Sequence, residues 1–332
     1  MSAWRGGGWR AISWRLLLGA CLCLTGPGQA AAADLLNFLQ QVQEAARTLD
    51  YAGIYVYQQG HSLQASRVVH VVDGTGERER LEVLDGAPRE CLRQNGLEQC
   101  LRPDHKLVVI QPARSDHFPG LLLGNDQAIA DHYSWQPSPH TYRIAGRDCA
   151  VSDLKARDHL RYSYRICTDL KTHLLLKSQT LDAAGHLVDQ VAFSSIRLGA
   201  DVQPAALTSP WNTRDWRLLT ESSETIDLKA QGWRFSLPAG FAPVAELSRQ
   251  IGPDHAVDQL VVSDGLTAIS IFIETFDPKR DQNIRQGGLR QGAVNIYRLR
   301  LASYWLTAVG EVPAQTVRDL ARAVQYVPRA AH

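Results

Sequence analysis

The residues of this chain best placed to do covalent chemistry are its cysteines. Cys91 and Cys100 flank Asn95-Gly96, the strongest short-range signal for a two-residue hairpin of type I′. Counting outward from that turn pairs Gln94 with Leu97, Arg93 with Glu98, Leu92 with Gln99 and Cys91 with Cys100. Ladder alternation makes the last pair non-hydrogen-bonded, so Cα atoms approach to about 4.5 Å and a disulfide can close across the strands. Cys149 and Cys167 then pair by elimination, because Cys21 and Cys23 fall in an amino-terminal leader. Zinc is the competing use of four cysteines, but no Cys-x-x-Cys spacing supports it.

Acid–base and nucleophilic chemistry finds no framework. The sequence lacks a Gly-x-Ser-x-Gly elbow, a His-Glu-x-x-His pair, a phosphate loop and a dinucleotide fingerprint. Its 11 histidines are scattered. Asp104-His105 and Asp158-His159 read as solvated turns, since neither has a nucleophile at a recognisable spacing. No catalytic residue, metal or cofactor is therefore expected, and binding is the remaining class of function.

Three groups could bind. Leu121, Leu122 and Leu123 stand between glycines in an irregular stretch and could lid a pocket, touch lipid or partner, or form a small satellite core. Arg280, Arg285 and Arg290 lie in a glycine-rich basic stretch; their forked guanidinium groups suit phosphate or carboxylate, against a plain solvated loop. Tyr55, Tyr57 and Trp135, with Tyr51 and Tyr133, could line a cavity, against ordinary core packing.

Which elements hold these groups follows from patterning. Arg5, Arg10 and Arg15 precede the apolar run Leu16 to Leu24, a Pro27-Gly28 break and the small residues Ala30 to Ala33, the order of a secretory signal peptide. That run falls short of the roughly 20 residues needed to span a bilayer. Leu18-Gly19-Ala20-Cys21 loosely resembles a lipoprotein cleavage box, but the apolar run continues past Cys21, so cleavage is expected near Ala33. The remaining length, about 300 residues, suffices for two domains. With 35 Lys and Arg against 34 Asp and Glu, the formal net charge is +1. No global field draws the chain to nucleic acid, and any charge-driven contact must be local.

Asp34 is placed to cap a helix with apolar Leu35, Phe38, Leu39, Val42, Ala46 and Leu49 at helical spacing. After Asp50 the pattern changes to short alternating runs broken by turn residues, which predicts an antiparallel meander. The first run, Tyr51 to Gln58, needs cover on both faces, as in a sheet curved around a pocket, and Gly53 suits a bend there. Alternation stops from Pro112 to His140 and resumes from Thr141 to Leu198. A Pro- and Ala-rich stretch around Pro204 to Pro210 reads as a linker. Beyond it, strands over Trp233–Leu237, Asp258–Ser263, Ala268–Glu274, Ala293–Leu299 and Ser303–Gly310 precede a helix opening near Pro313 that buries Val317, Leu320, Ala321 and Val324.

The expected division is signal peptide 1–33, first domain 34–200, linker 201–212 and second domain 213–328. The fold class is α+β.

Several segments resemble one family. Tyr51-Ala52-Gly53-Ile54-Tyr55-Val56-Tyr57, His70 with Glu79-Arg80-Leu81, Leu84-Asp85-Gly86-Ala87-Pro88-Arg89-Glu90, Arg161-Tyr162-Ser163-Tyr164-Arg165, Ser263-Asp264-Gly265-Leu266 through Glu274, and Val309-Gly310-Glu311-Val312-Pro313 are similar to MucB/RseB. The resemblance spans nearly the whole mature chain and leans to the MucB branch. It implies a half-open antiparallel β-barrel with helices, similar to the lipoprotein carriers, followed by a smaller α+β domain. It also implies a periplasmic regulator that binds the periplasmic region of a membrane anti-sigma factor (MucA/RseA-like) and shields it from regulated proteolysis. Lipopolysaccharide or another lipid would release it, so that it restrains an envelope-stress sigma factor tied to alginate. The competing reading is a periplasmic lipid or lipoprotein carrier. A homodimer stays open, and the four mature cysteines match no pattern tied to the family mechanism, which leaves a redox role open.

Overall fold

The computed structural model describes residues 27–113, 118–120, 129–252 and 255–328. Leu121, Leu122 and Leu123 lie outside the described residues, as does most of the expected signal peptide.

The first helix, α1 (Pro27–Thr48), begins upstream of Asp34, so Asp34 sits within the helix and does not cap it. The physical reason is the run Ala30 to Ala33, the residue type with the highest helix propensity. Leu35, Leu39, Val42, Ala45 and Ala46 form its buried stripe. Then come β1 (Tyr51–Gln59), β2 (Ser62–Asp73), β3 (Gly76–Val83), β4 (Arg89–Gln94), β5 (Leu97–Arg102) and β6 (Leu107–Pro112), the meander that the alternation predicts. A short helix α2 (Ile129–His132) leads into β7 (Tyr133–Ile144), β8 (Arg147–Ala156), β9 (Ser163–Asp169), β10 (Leu175–Leu181) and β11 (Leu187–Leu198).

Strand β7 starts well before the predicted Thr141. Pro137 and Pro139 mask it in the sequence, yet it is the edge of the sheet and is bulged between Pro137 and Thr141, where a missing N–H is tolerated.

These strands and β12 (Arg217–Thr220) form one open 12-stranded sheet with β12 and β7 at its edges. Its inner face carries α1 and two apolar clusters. One joins Leu35, Leu39 and Val42 to Ile129, Tyr133, Leu154 and Ile166; the other packs Tyr51, Val68 and Phe193 around Cys149 and Cys167. On the outer face, Val69 and Val71 are covered by Val202, Ala206 and Leu207 of the segment expected as linker. Arg80 fastens that segment: its Nε donates to Glu90 at 2.7 Å and its Nη1 to the Ala206 carbonyl at 3.1 Å.

Both disulfides form, Cys91–Cys100 and Cys149–Cys167. The register of β4 on β5 pairs Gln94 with Leu97 through Cys91 with Cys100, as counted from the turn. Cys149 and Cys167 lie buried in the core.

The chain crosses from one sheet to the other at Glu221, between β12 and β13 (Ser222–Thr225). A 7-stranded sheet follows, ordered β13, β15 (Ala242–Gly252), β16 (His255–Ser263), β17 (Ala268–Thr275), β20 (Tyr304–Gly310), β19 (Val294–Leu301) and β18 (Gly287–Gln291). Trp233–Arg234 (β14) pairs with Gln325–Tyr326 (β21) and is far shorter than the predicted Trp233–Leu237 strand. The last helix, α3 (Ala314–Ala323), buries Val317, Leu320 and Ala321 against Ile269, Ile271, Ile273 and Leu306. Among the described residues no helix is long and apolar enough to cross a membrane.

Candidate functional site

The two sheets meet through buried polar contacts, and the site is built from these. The turn between β16 and β17 presents Asp264, whose Oδ1 accepts the N–H groups of Leu266 (3.0 Å) and Thr267 (2.9 Å). Its Oδ2 accepts from the Arg161 guanidinium at 2.6 Å and from the Tyr133 hydroxyl at 3.0 Å. Both ion-pair side chains are 0% exposed. Arg161 further donates to Asp158 (3.0 Å) and to the Ala239 carbonyl, and lies 5.0 Å from the Phe241 ring centroid. Every charge in this cluster is thus matched, the condition for burying it at tolerable cost.

Held by that turn, Leu266 leaves its own sheet and packs into the first domain's core beside Tyr164 and Leu175. Two further bonds cross the junction. Asn295 donates to the Tyr162 hydroxyl at 3.1 Å, and the Thr316 hydroxyl donates to the Leu160 carbonyl at 2.9 Å.

Next to this seam a cavity of about 370 Å³ remains. Tyr55, Tyr57, Phe118 and Tyr164 form its aromatic walls, Ser66, Ser178, Thr180 and Asp189 its polar lining, and Leu266 and Glu311 of the second domain its far side. Tyr55, Phe118 and Phe193 interlock, with centroids 5.0 to 6.0 Å apart. Gly53 makes room for them: a Cβ there would lie 2.4 Å from the Ser195 carbonyl oxygen and 3.0 Å from the Phe193 ring. The bend that Gly53 foreshadows coincides with a register shift between Ile54 and Tyr55 against β11.

Asp189 is the pivot of the cavity. Its Oδ2 accepts from the Tyr57 hydroxyl (2.7 Å) and from the Ala293 N–H of the second domain (3.2 Å). Gln59 reinforces the crossing with a 2.9 Å bond to the Gln291 carbonyl. Burial pushes the Tyr57 phenol far up, with Asp189 and then Glu311 adding to the effect. The Tyr55 phenol is pushed up to about 12, mainly by burial. For Tyr164, burial dominates and the charge of Glu311 comes next.

Of the residues singled out in the sequence, Tyr55 and Tyr57 reach the cavity wall. Trp135 does not; it stacks on Phe38 of α1 at 4.9 Å with a 19° interplanar angle, packed against the core. Arg280 is held by Asp281 at 2.6 Å and by the Thr275 carbonyl at 2.9 Å. Arg290 lies on β18 and turns its Nε to the Gly292 carbonyl at 2.9 Å, while Arg285 is exposed just before that strand. The basic stretch thus contains an edge strand and does not line the cavity. Asp189, Arg161, Asp264 and Leu266 were not singled out for a role, although three of these four lie in the segments that carry the family resemblance.

Fold and junction together define a mostly-β, α+β protein of two sheet domains, fused by a buried polar seam that leaves a cavity between them. The chain belongs to the MucB/RseB family: residues 34–211 match the MucB/RseB N-terminal domain and residues 227–325 the MucB/RseB C-terminal domain. It is 29% identical over 324 residues to the sigma factor AlgU regulatory protein MucB of Pseudomonas aeruginosa, covering 95% of this chain and 98% of that protein. With the sigma-E factor regulatory protein RseB of Escherichia coli K12 it shares 23% identity over 323 residues, 96% of this chain and 98% of that one. Among solved structures, the Pseudomonas aeruginosa MucA/MucB complex matches with a TM-score of 0.67 at 28% identity, covering 90% of this chain and 100% of the other. A crystal structure of MucB in complex with MucA(peri) matches with a TM-score of 0.66 at 27% identity, covering 89% and 99%.

Proposed function

We propose that this protein is a periplasmic regulator that binds the periplasmic region of a MucA/RseA-like membrane anti-sigma factor. By covering that region it protects the factor from regulated proteolysis, and so restrains an envelope-stress sigma factor of the kind that governs alginate. Lipopolysaccharide or a related lipid releases it. The observation that carries this reading is the full-length match, through both domains, to sigma-factor regulators, one of which is solved with its MucA partner. The junction cavity supports it physically, because a groove shared by two domains can change its affinity when the domains shift, and a coupling of about 1–3 kcal/mol is enough for a switch. A carrier of lipids or lipoproteins would leave the second domain, locked on by Arg161 and Asp264, without a role.

The test uses the mature chain and an immobilised anti-sigma periplasmic region of the MucA type. Retention at micromolar protein, a slower cleavage of the bound factor by its protease, and elution by lipopolysaccharide are expected. Absence of retention at ~100 μM, the weak end of specific recognition, sinks the reading.

A further inference from the structure

A second cavity, of about 470 Å³, takes its lining from β7 to β10 of the first domain and shares no lining residue with the junction. Its volume is that of a small-molecule site. The bulged part of β7, Pro137 and Ser138, supplies one wall, and Ile144, Val151 and Cys167 supply apolar surface. Pairing across the sheet lays Gln136, Asp153, Arg165, Gln179, Gln190 and Gln58 in one polar row, and the first four of these line the cavity.

Charges in this lining are matched unequally. Arg165 donates to both oxygens of Asp153, at 2.7 and 3.0 Å, which leaves that pair neutral. Lys177, half-buried at the same cavity, pairs with no carboxylate among the described residues, so two cations stand against one anion. The amides form a directed chain, in which Gln179 donates to Gln190 at 2.9 Å and Gln190 to Gln58 at 2.7 Å. A group that donates becomes a better acceptor, so the Gln179 Oε1 is a strengthened acceptor at the cavity. Tyr142, 56% exposed, adds an aromatic ring.

A single ammonium suits a monoanion, the strengthened amide oxygen suits a hydroxyl donor, and an exposed ring covers C–H surface. A fatty acid has no hydroxyls to offer, and a phosphate dianion would set a second negative charge beside Asp153 that Lys177 alone does not match. We infer that this cavity binds a sugar acid, with its carboxylate on Lys177, its hydroxyls on Gln179 and the row beside it, and a C–H face on Tyr142. The inference is independent of the regulator reading above.

The experiment follows the amide NMR signals of the full mature chain during additions of D-galacturonate, D-galactose and hexanoate. Galacturonate is expected to shift signals of β7 to β10 with a Kd of about 1 mM. Galactose, which lacks the charge, and hexanoate, which lacks the hydroxyls, should each bind about tenfold more weakly. Lys177→Met should weaken galacturonate about tenfold, and Tyr142→Ala, at an exposed position, about threefold. Should Lys177→Met fail to fold, the ranking of the three probes and Tyr142→Ala decide. Galactose or hexanoate binding as tightly as galacturonate, shifts confined to other strands, or an affinity untouched by Tyr142→Ala or by folded Lys177→Met each overturns the inference. Tetragalacturonate in place of the monomer separates the sources: tighter binding assigns a polysaccharide chain, equal or weaker binding a free sugar acid.

Discussion

Arg161 and Asp264 stand 103 residues apart in the chain, yet their side chains meet at 2.6 Å with neither exposed to solvent. The pair joins a loop of the first domain to a turn of the second, and Tyr133 and Ala239 complete the cluster. Two sheets with separate cores thereby become one body with a defined cavity at the seam.

Breaking this pair from one side leaves the other charge buried. Arg161→Ala or Asp264→Ala should each destabilise the protein by about 3–5 kcal/mol, measured by urea denaturation. The double variant should cost clearly less than the sum of the singles, because the two groups interact. A loss under about 1 kcal/mol for either single change, the level of an exposed pair, would show that solvent reaches the seam.

Gly53→Ala should cost about 1–3 kcal/mol through overpacking, since the new methyl meets a backbone carbonyl that cannot move away as a side chain would. Near-ultraviolet circular dichroism should report the displaced Tyr55–Phe118–Phe193 cluster. A variant as stable as the parent argues that β1 bends differently.

The disulfides should separate by accessibility. Cys91–Cys100 is only half-buried at an outer hairpin, whereas Cys149–Cys167 lies within the core. Mild reductant should open the first in the folded protein and the second only on unfolding, as mass spectrometry after thiol labelling can show. Replacing either pair by alanine should cost about 3 kcal/mol from loop entropy, with an added cavity cost for Cys149 and Cys167.

Alkaline pH should loosen the fold in a defined window. Tyr55 titrates near 12 in the folded state against an ordinary value of 10.0, and Tyr51, Tyr57, Tyr133 and Tyr164 are shifted the same way. A raised folded value means that the native state holds its proton longer than the unfolded chain. Stability is therefore fully present below about pH 10 and lost as pH rises toward 12. Urea midpoints measured from pH 8 to 12 should fall in that window, and Tyr55→Phe should shallow the fall. A flat profile refutes the burial of these phenols.

Alternation and turn residues predicted the meander of β1 to β6, because strand period and hairpin geometry depend on neighbours only. The Asn95-Gly96 turn brought Cys91 to Cys100 by counting alone. The terminal helix after Pro313 was equally plain from its apolar spacing. Strand β7 was hidden because its edge position tolerates two prolines, and β15 because Pro243 interrupts a run that is only half-buried. Strand β18 was hidden by glycines that read as loop.

Function divides along the same line. The order of residue types along the chain determined the sheet-rich pattern, the Cys91–Cys100 pairing and the family resemblance, since each is a property of short segments. Only the tertiary structure decided that Tyr57 meets Asp189, that Arg161 meets Asp264, that Trp135 packs against the core and that Arg280 is already engaged by Asp281. Those pairings depend on where two separate sheets come to rest against each other, and packing of that kind leaves no periodic trace in the sequence.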